Sequence, residues 1–278
     1  MSIESRVEVI TPEKAQEWLN KLNKNNRTMR QATIDSYARD MKAGLWAINN
    51  QGIGFAEDGT LIDGQHRLGA IAKAGVSIKM IVVRGLPIVD GDIFTQETID
   101  RGIIRTVGDA LHMTRGLSNA NHKVAIINAM MFMLFKKTVR MTAPIAWEVY
   151  RLYEEEIEGT TGIPKSSSSL LKYAPIVAGF VVAAKKDMQS TLEFIAGYWT
   201  GENLPKGDPA LSLRNYSINR NRGDGRAMDR YTAMVMSLTC LKKHMQGQKI
   251  NALRVQDNVM DFFYRYQVNE ISKIRSLI

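Results

Sequence analysis

Asp63-Gly64-Gln65-His66-Arg67 puts a carboxylate, a glycine, an amide, an imidazole and a guanidinium in five consecutive positions. The run stands between a strand-like segment, Gly59-Thr60-Leu61-Ile62, and a helix-like segment, Leu68 to Ala74. That context gives each residue type a use. A glycine lets the backbone come close to a bound group. The start of a helix leaves N–H donors and a positive dipole end, and both favour an anion. Arg67 adds a planar fork of donors matched to phosphate oxygens, and His66 adds a donor that titrates near neutrality. Together they point to a phosphate-binding turn. The plainer alternative is an ordinary strand-to-helix turn with a solvated arginine.

The elements that must position this turn are readable from pattern. Val7 to Ile10 reads as a short strand, and Thr11-Pro12-Glu13 opens a helix with an N-cap and Pro at its first position. A second helix carries Ile34, Tyr37, Ala38 and Met41 at helical spacing and is closed by Gly44. Ile53-Gly54-Phe55-Ala56 and Thr60-Leu61-Ile62 flank Asp58-Gly59, a hairpin signal. The helix after the turn stops at Gly75, and Lys79 to Gly85 follows as a buried strand. This predicts an α+β domain over residues 1–110.

From about Ser118 onward the pattern turns helical, which predicts an all-α domain over residues 111–278. Met130, Met131 and Met133 read as core filler, and Glu154-Glu155-Glu156 as a solvated helix face. Four serines at 166–169 read as caps for a helix from Leu170 to Lys186, with Pro175 kinking it or lying in its first turn. The Gly-, Pro-, Asn- and Arg-rich stretch from Gly201 to Gly225 reads as loop.

Composition bounds the classes. The chain has 278 residues, 45% hydrophobic and 23% charged, which is ordinary for a globular protein. No apolar run reaches the roughly 18 residues a membrane span needs, so no membrane partner is expected. Cys240 is the sole cysteine, which rules out an internal disulfide and a thiolate metal cluster. A cytoplasmic location is expected. The net charge of +9 is uneven: residues 1–110 hold 14 basic and 14 acidic side chains, residues 111–278 hold 23 and 14. The basic half is the expected surface for nucleic acid, with scattered solubilising charge as the alternative.

The order of elements over residues 6–86, together with Asp63-Gly64-Gln65-His66-Arg67, resembles the ParB/sulfiredoxin-like superfamily, and in particular its phage and bacterial members with a DGQHR signature. The resemblance implies a nucleoside triphosphate, ATP or CTP, with Mg²⁺, bound by the turn. It also implies the cytoplasm of a bacterial host. Gly64, His66 and Arg67 match the family's phosphate-binding turn. Gln65 stands where sulfiredoxins carry the catalytic cysteine, which excludes that chemistry, and where free-serine kinases carry histidine. Aligning apolar positions puts Thr33, Ser36 and Asp40 on the helix face that touches the nucleotide in sulfiredoxins. Asp40 would need a metal between its carboxylate and the phosphates, and a plain surface aspartate is its alternative. Arg27 and Arg30, just before that helix, are further candidates for the phosphates. Asp63 orients Arg67 or His66, holds a metal-bound water, or simply caps the turn. As an NTPase, the chain would use Asp63, His66 and Arg67 catalytically. An Asp100–Arg105–Asp109 segment reads as a linker, or as an arm over the nucleotide.

In the basic half, Arg214, Tyr216, Arg220, Arg222, Arg226 and Arg230 interleave cations with an aromatic ring, a composition suited to phosphate contact and base stacking. No helix-turn-helix is legible, which argues against centromere binding. Two classes of function remain at this point. One is a nucleotide-binding, DNA-associated protein, with hydrolysis and a homodimer left open. The other is a non-catalytic DNA-binding or host-interaction protein with a relic pocket. A nuclease is weaker, because no carboxylate cluster stands at metal spacing.

Overall fold

The computed structural model describes residues 2–24, 26, 28–90, 93–95, 106–162, 169–222, 229–254 and 258–278. Among these the chain is mixed α/β, with thirteen α-helices and a four-stranded sheet. Contacts group it into two units, Met1–Arg105 with Leu277, and Thr106–Ser276 with Ile278.

The first unit holds β1 (Glu4–Ile10), α1 (Pro12–Leu22), α2 (Gln31–Lys42), β2 (Ile53–Ala56), β3 (Leu61–Asp63), α3 (Gln65–Ala74), β4 (Ile78–Leu86), and the small pair β5 (Val89–Asp90) and β6 (Ile93–Phe94). The sheet order is β1-β4-β2-β3. The β1–β4 and β2–β3 pairs are antiparallel, and β2–β4 is parallel. Thr11 caps α1 by accepting from the Lys14 amide, with Pro12 at the first position, as the sequence suggests. The hairpin turns at Asp58-Gly59, where Gly59 takes φ +83° and the Asp58 carboxylate accepts from the Thr60 amide. The core of this unit gathers Ile10, Ile53, Phe55, Leu61, Leu68, Ile71, Met80 and Val82, with the Trp18 ring edge-on to Phe55 at 4.9 Å.

β1 is an edge strand that pairs with β4 without a bulge from Glu4↔Arg84 to Ile10↔Ile78. Its alternation leaves Ile3, Val7 and Val9 more than half exposed. On the other face Glu8 takes a bidentate contact from Arg84, and Lys14 reaches it at 2.9 Å.

The second unit is helical: α4 (Val107–Arg115), α5 (Ala120–Phe135), α6 (Ala143–Leu152), α7 (Glu154–Gly162), α8 (Ala174–Ala184), α9 (Met188–Thr200), α10 (Pro209–Arg222), α11 (Arg230–Met245), α12 (Val259–Tyr264) and α13 (Val268–Leu277). The most apolar helix, α8, is buried along its length, and its Gly179 admits Ser237 of α11 so closely that a Cβ would stand 2.5 Å from the hydroxyl. Met130, Met131 and Met133 are core residues. No helix among the described residues is long and apolar enough to cross a membrane.

Three expectations for this unit are corrected. Residues 209–222 are helix, not loop. Asp208 accepts from the amides of Ala210 and Leu211 just before Pro209, and Ala210, Leu213 and Ser217 bury one face. The Glu154-Glu155-Glu156 run is not simply a solvated face. Glu156 is buried and paired with Lys185 at 3.0 Å, and Lys185 also reaches Glu270 at 3.4 Å. The helix expected from Leu170 begins later: a short 3-10 turn spans Ser169–Lys172, and Pro175 then sits in the first turn of α8, where its missing N–H costs nothing. Of the four serines, 166–168 lie outside the described residues.

Candidate functional site

Gly64 is the hinge of the site. It takes φ +102° as the residue before α3, a left-handed conformation that a side chain strains. A Cβ there would stand 2.5 Å from Ile53 Cδ1 and 3.2 Å from Ile53 Cα. The turn is therefore folded tightly against the start of β2, and both conformation and space demand glycine. No side chain caps α3. The first intrahelical bond runs from the Leu68 amide to the Gly64 carbonyl, which leaves the amides of Gln65, His66 and Arg67 at the open end.

The N-terminus of α2 lies beside this end. The Arg30 amide donates to His66 Nε2 at 2.9 Å, Ile34 packs where a Cβ on Gly69 would stand 3.1 Å from its Cδ1, and Lys73 pairs with Asp35 at 2.6 Å. These three pairings advance together along both helices, so α2 and α3 run side by side in the same direction. Their positive ends add. Because Nε2 accepts, the neutral His66 ring carries its proton on Nδ1.

Arg67 is only 11% exposed, and its Nη2 donates to Asp63 Oδ2 at 2.7 Å. Of the roles open to Asp63, the structure displays that of orienting Arg67, one helical turn away. The buried Arg67 Nε has no hydrogen-bond partner among the described residues. A buried guanidinium N–H without an acceptor is costly, and an oxyanion is the acceptor that suits it best.

Gln65 is buried, and its Oε1 accepts from Asn23 Nδ2 at 3.3 Å. Asn26 Nδ2 donates to Asn23 Oδ1 at 2.7 Å and to the Leu61 carbonyl at 2.6 Å. Asn23 and Asn26 thus tie the segment after α1 to β3 and to the turn. The signal for this in the sequence is the amide repeat at Asn23, Asn25 and Asn26.

The remaining candidates divide. Ser36 and Asp40 are buried within α2, and Thr33 is half-buried. Asp40 is therefore no surface aspartate. Its carboxylate lies 3.9 Å from Arg39 Nε, and no group of three metal-ligating side chains gathers among the described residues. Arg27 and Arg226 lie outside the described residues, as do the side chains of Arg220 and Arg222 and the segment holding Asp100 and Arg105. Arg214 bonds the carbonyls of Tyr198 at 2.9 Å and Trp199 at 2.7 Å, where it finishes α9. Tyr216 is half-buried, and Arg230 is exposed at the start of α11. Asp109 forms the capping box of α4 with Thr106. Cys240 is buried, and burial pushes its thiol well above the ordinary range, as befits an inert core residue.

A cleft of about 280 Å³ in the same unit is lined by Trp18, Leu22, Phe55, Glu57 and Arg84. It opens at the Phe55–Glu57 end of β2, whereas the turn packs on Ile53 at the other end. The two are separate features.

No protein-family model, curated protein or solved structure matches this chain.

Proposed function

We propose that the Gly64–Arg67 corner binds the phosphates of a nucleoside triphosphate, and that the chain is a ParB-like nucleotide-binding protein that associates with nucleic acid through its basic second unit. The observation that carries the nucleotide reading is the buried Arg67 Nε with no acceptor, in a corner where no side chain caps α3 and two helix starts lie together. Once the atoms covering Nε give way, a polyphosphate would supply acceptors to the guanidinium and to the Gln65–Arg67 amides. Arg67 is pre-oriented for this by Asp63, so little side-chain entropy remains to be lost on binding. ATP and CTP, with Mg²⁺ carried on the phosphates, are the ligands the resemblance implies.

Titration calorimetry with ATP, CTP and GTP in magnesium buffer tests the proposal. Binding by the native chain and at least a tenfold loss in Arg67→Ala support it; absence of heat with all three overturns it.

A second reading draws on the same Asp63–Arg67 pair. With one carboxylate already neutralising the guanidinium, the pocket holds its ligand without hydrolysing it, as a switch. A steady-state assay of phosphate release separates this switch from an NTPase, because nucleotide bound without turnover favours the switch.

A further inference from the structure

Three cations from separate parts of the helical unit converge on two aromatic rings. Lys186, just after α8, lies 5.1 Å from the Phe262 ring centre; Lys242 of α11 lies 5.3 Å from it, and Arg265 lies 5.6 Å from it. Lys186 and Arg265 also flank Tyr266, at 4.7 and 5.2 Å. All three charges are within 5.6 Å of one ring centre, so no two are farther apart than twice that distance. That is comparable to the roughly 10 Å Debye length at 0.1 M salt, so each feels the others' charge.

None of the three is ion-paired among the described residues. Lys185, one residue earlier, shows the contrast, held between Glu156 and Glu270. The nearest carboxylates in sequence to Lys186 and Arg265 are Asp187, which caps α9 by accepting from the Ser190 amide, and the exposed Asp261. Lys186 and Lys242 are half-buried and Arg265 is exposed, and a cation–ring contact leaves the charge uncancelled. Such contacts park the three groups without neutralising them. Tyr266 is 42% exposed, and Phe262 is partly so. Beside the same end of α11, Lys243, Lys249 and Arg254 line a cleft of about 210 Å³.

We infer that Lys186, Lys242, Phe262, Arg265 and Tyr266 form a surface for single-stranded nucleic acid. The inference names the site and the class of ligand for the nucleic-acid association proposed above, and it rests on that reading. The cations leave the rings for backbone phosphates, gaining charge-assisted bonds in place of weaker ring contacts. The rings they uncover take unpaired bases by stacking. A duplex keeps its bases stacked on each other and can use only the charges. This selects single strands, DNA or RNA, without demanding a sequence.

Fluorescence anisotropy of a labelled oligothymidylate and an oligouridylate of about 16 nucleotides, with the matching duplex as comparison, tests this on the full chain. Three phosphate contacts predict a salt slope of about −2 for single strands. The triple variant K186E/K242E/R265E is expected to lose binding at least about tenfold and to flatten that slope. Tyr266→Ala, at an exposed position that leaves the fold intact, is expected to weaken single-strand binding roughly tenfold and duplex binding little. Single-strand binding unchanged in both variants overturns this inference alone and leaves the broader association standing. No retention of any nucleic acid at low salt overturns both. Binding of the native chain only to vesicles of anionic lipid, lost in the triple variant, overturns the nucleic-acid assignment of the patch. Nucleotide binding measured with Arg67→Ala is a separate readout, so failure at one site does not read as failure at the other.

Discussion

The two units differ in one cluster of positive charge. In the sheet-containing unit the cations meet carboxylates: Arg67 with Asp63, Arg84 and Lys14 with Glu8, Lys73 with Asp35. In the helical unit Lys123 pairs with Glu158, Lys185 with Glu156 and Glu270, and the exposed Arg151 with Glu148, while Lys186, Lys242 and Arg265 rest against rings. The sequence holds 14 basic and 14 acidic side chains before residue 111 and 23 and 14 after it. A paired cation orients or holds its neighbours. An unpaired cluster is available to a polyanion.

Lys185 and Lys186 sharpen this comparison most. Lys185→Met strands Glu156, whose side chain is 7% exposed, without its partner, and is expected to cost about 3 kcal/mol. Lys186→Met is expected to change stability by less than about 0.5 kcal/mol. Urea unfolding of the two variants measures both, and equal losses would erase the distinction between held and parked lysines. Gly64→Ala comes next. It adds a Cβ 2.5 Å from Ile53 Cδ1 at φ +102° and is expected to destabilise by about 2 kcal/mol. A thermal melt checks it, and a variant as stable as the native chain would mean the corner is looser than described.

Glu8 gives a smaller effect with a pH signature. The Arg84 hydrogen bond, with help from Lys14 and against the cost of burial, holds its carboxyl below the usual range. A lowered folded value contributes stability that is fully present above the unfolded value of about 4.3 and is lost as pH falls through the folded one. Glu8→Gln should therefore be about 1 kcal/mol less stable at neutral pH and approach the native chain only as pH falls below the unfolded value and through the folded one. The smallest effect is at Lys73–Asp35, where both side chains are about half exposed. Lys73→Met is expected to stay within about 0.5 kcal/mol.

How much of this was legible depends on sequence distance. Thr11-Pro12, Asp58-Gly59 and the Gly64 turn were readable because cap, turn and φ > 0 signals act within a few residues. The Asp63–Arg67 pair, four residues apart, was among the readings offered. α10 was missed because its Arg and Asn content outweighed the Asp208-Pro209 start, and its helical state rests on burial of Ala210, Leu213 and Ser217 that composition does not show. Arg214 reads as an exposed charge until the end of α9 is seen beneath it. The Phe262–Tyr266 patch joins segments roughly 20 to 80 positions apart, and no local pattern announces it. Asn23 and Asn26 reach Gln65 and Leu61 across about 40 residues, for the same reason.

The outer margin of the sheet has a practical consequence. β1 offers seven regular residues with no proline or bulge, and Val7 and Val9, with Ile3 just before the strand, are uncovered, so the strand's own exposed charges, Glu4 and Arg6, are what guard it against docking by a foreign strand. Those guards are electrostatic and fade in brine. Samples concentrated at high ionic strength should cloud sooner than dilute-buffer ones, and Val7→Lys should keep them clear.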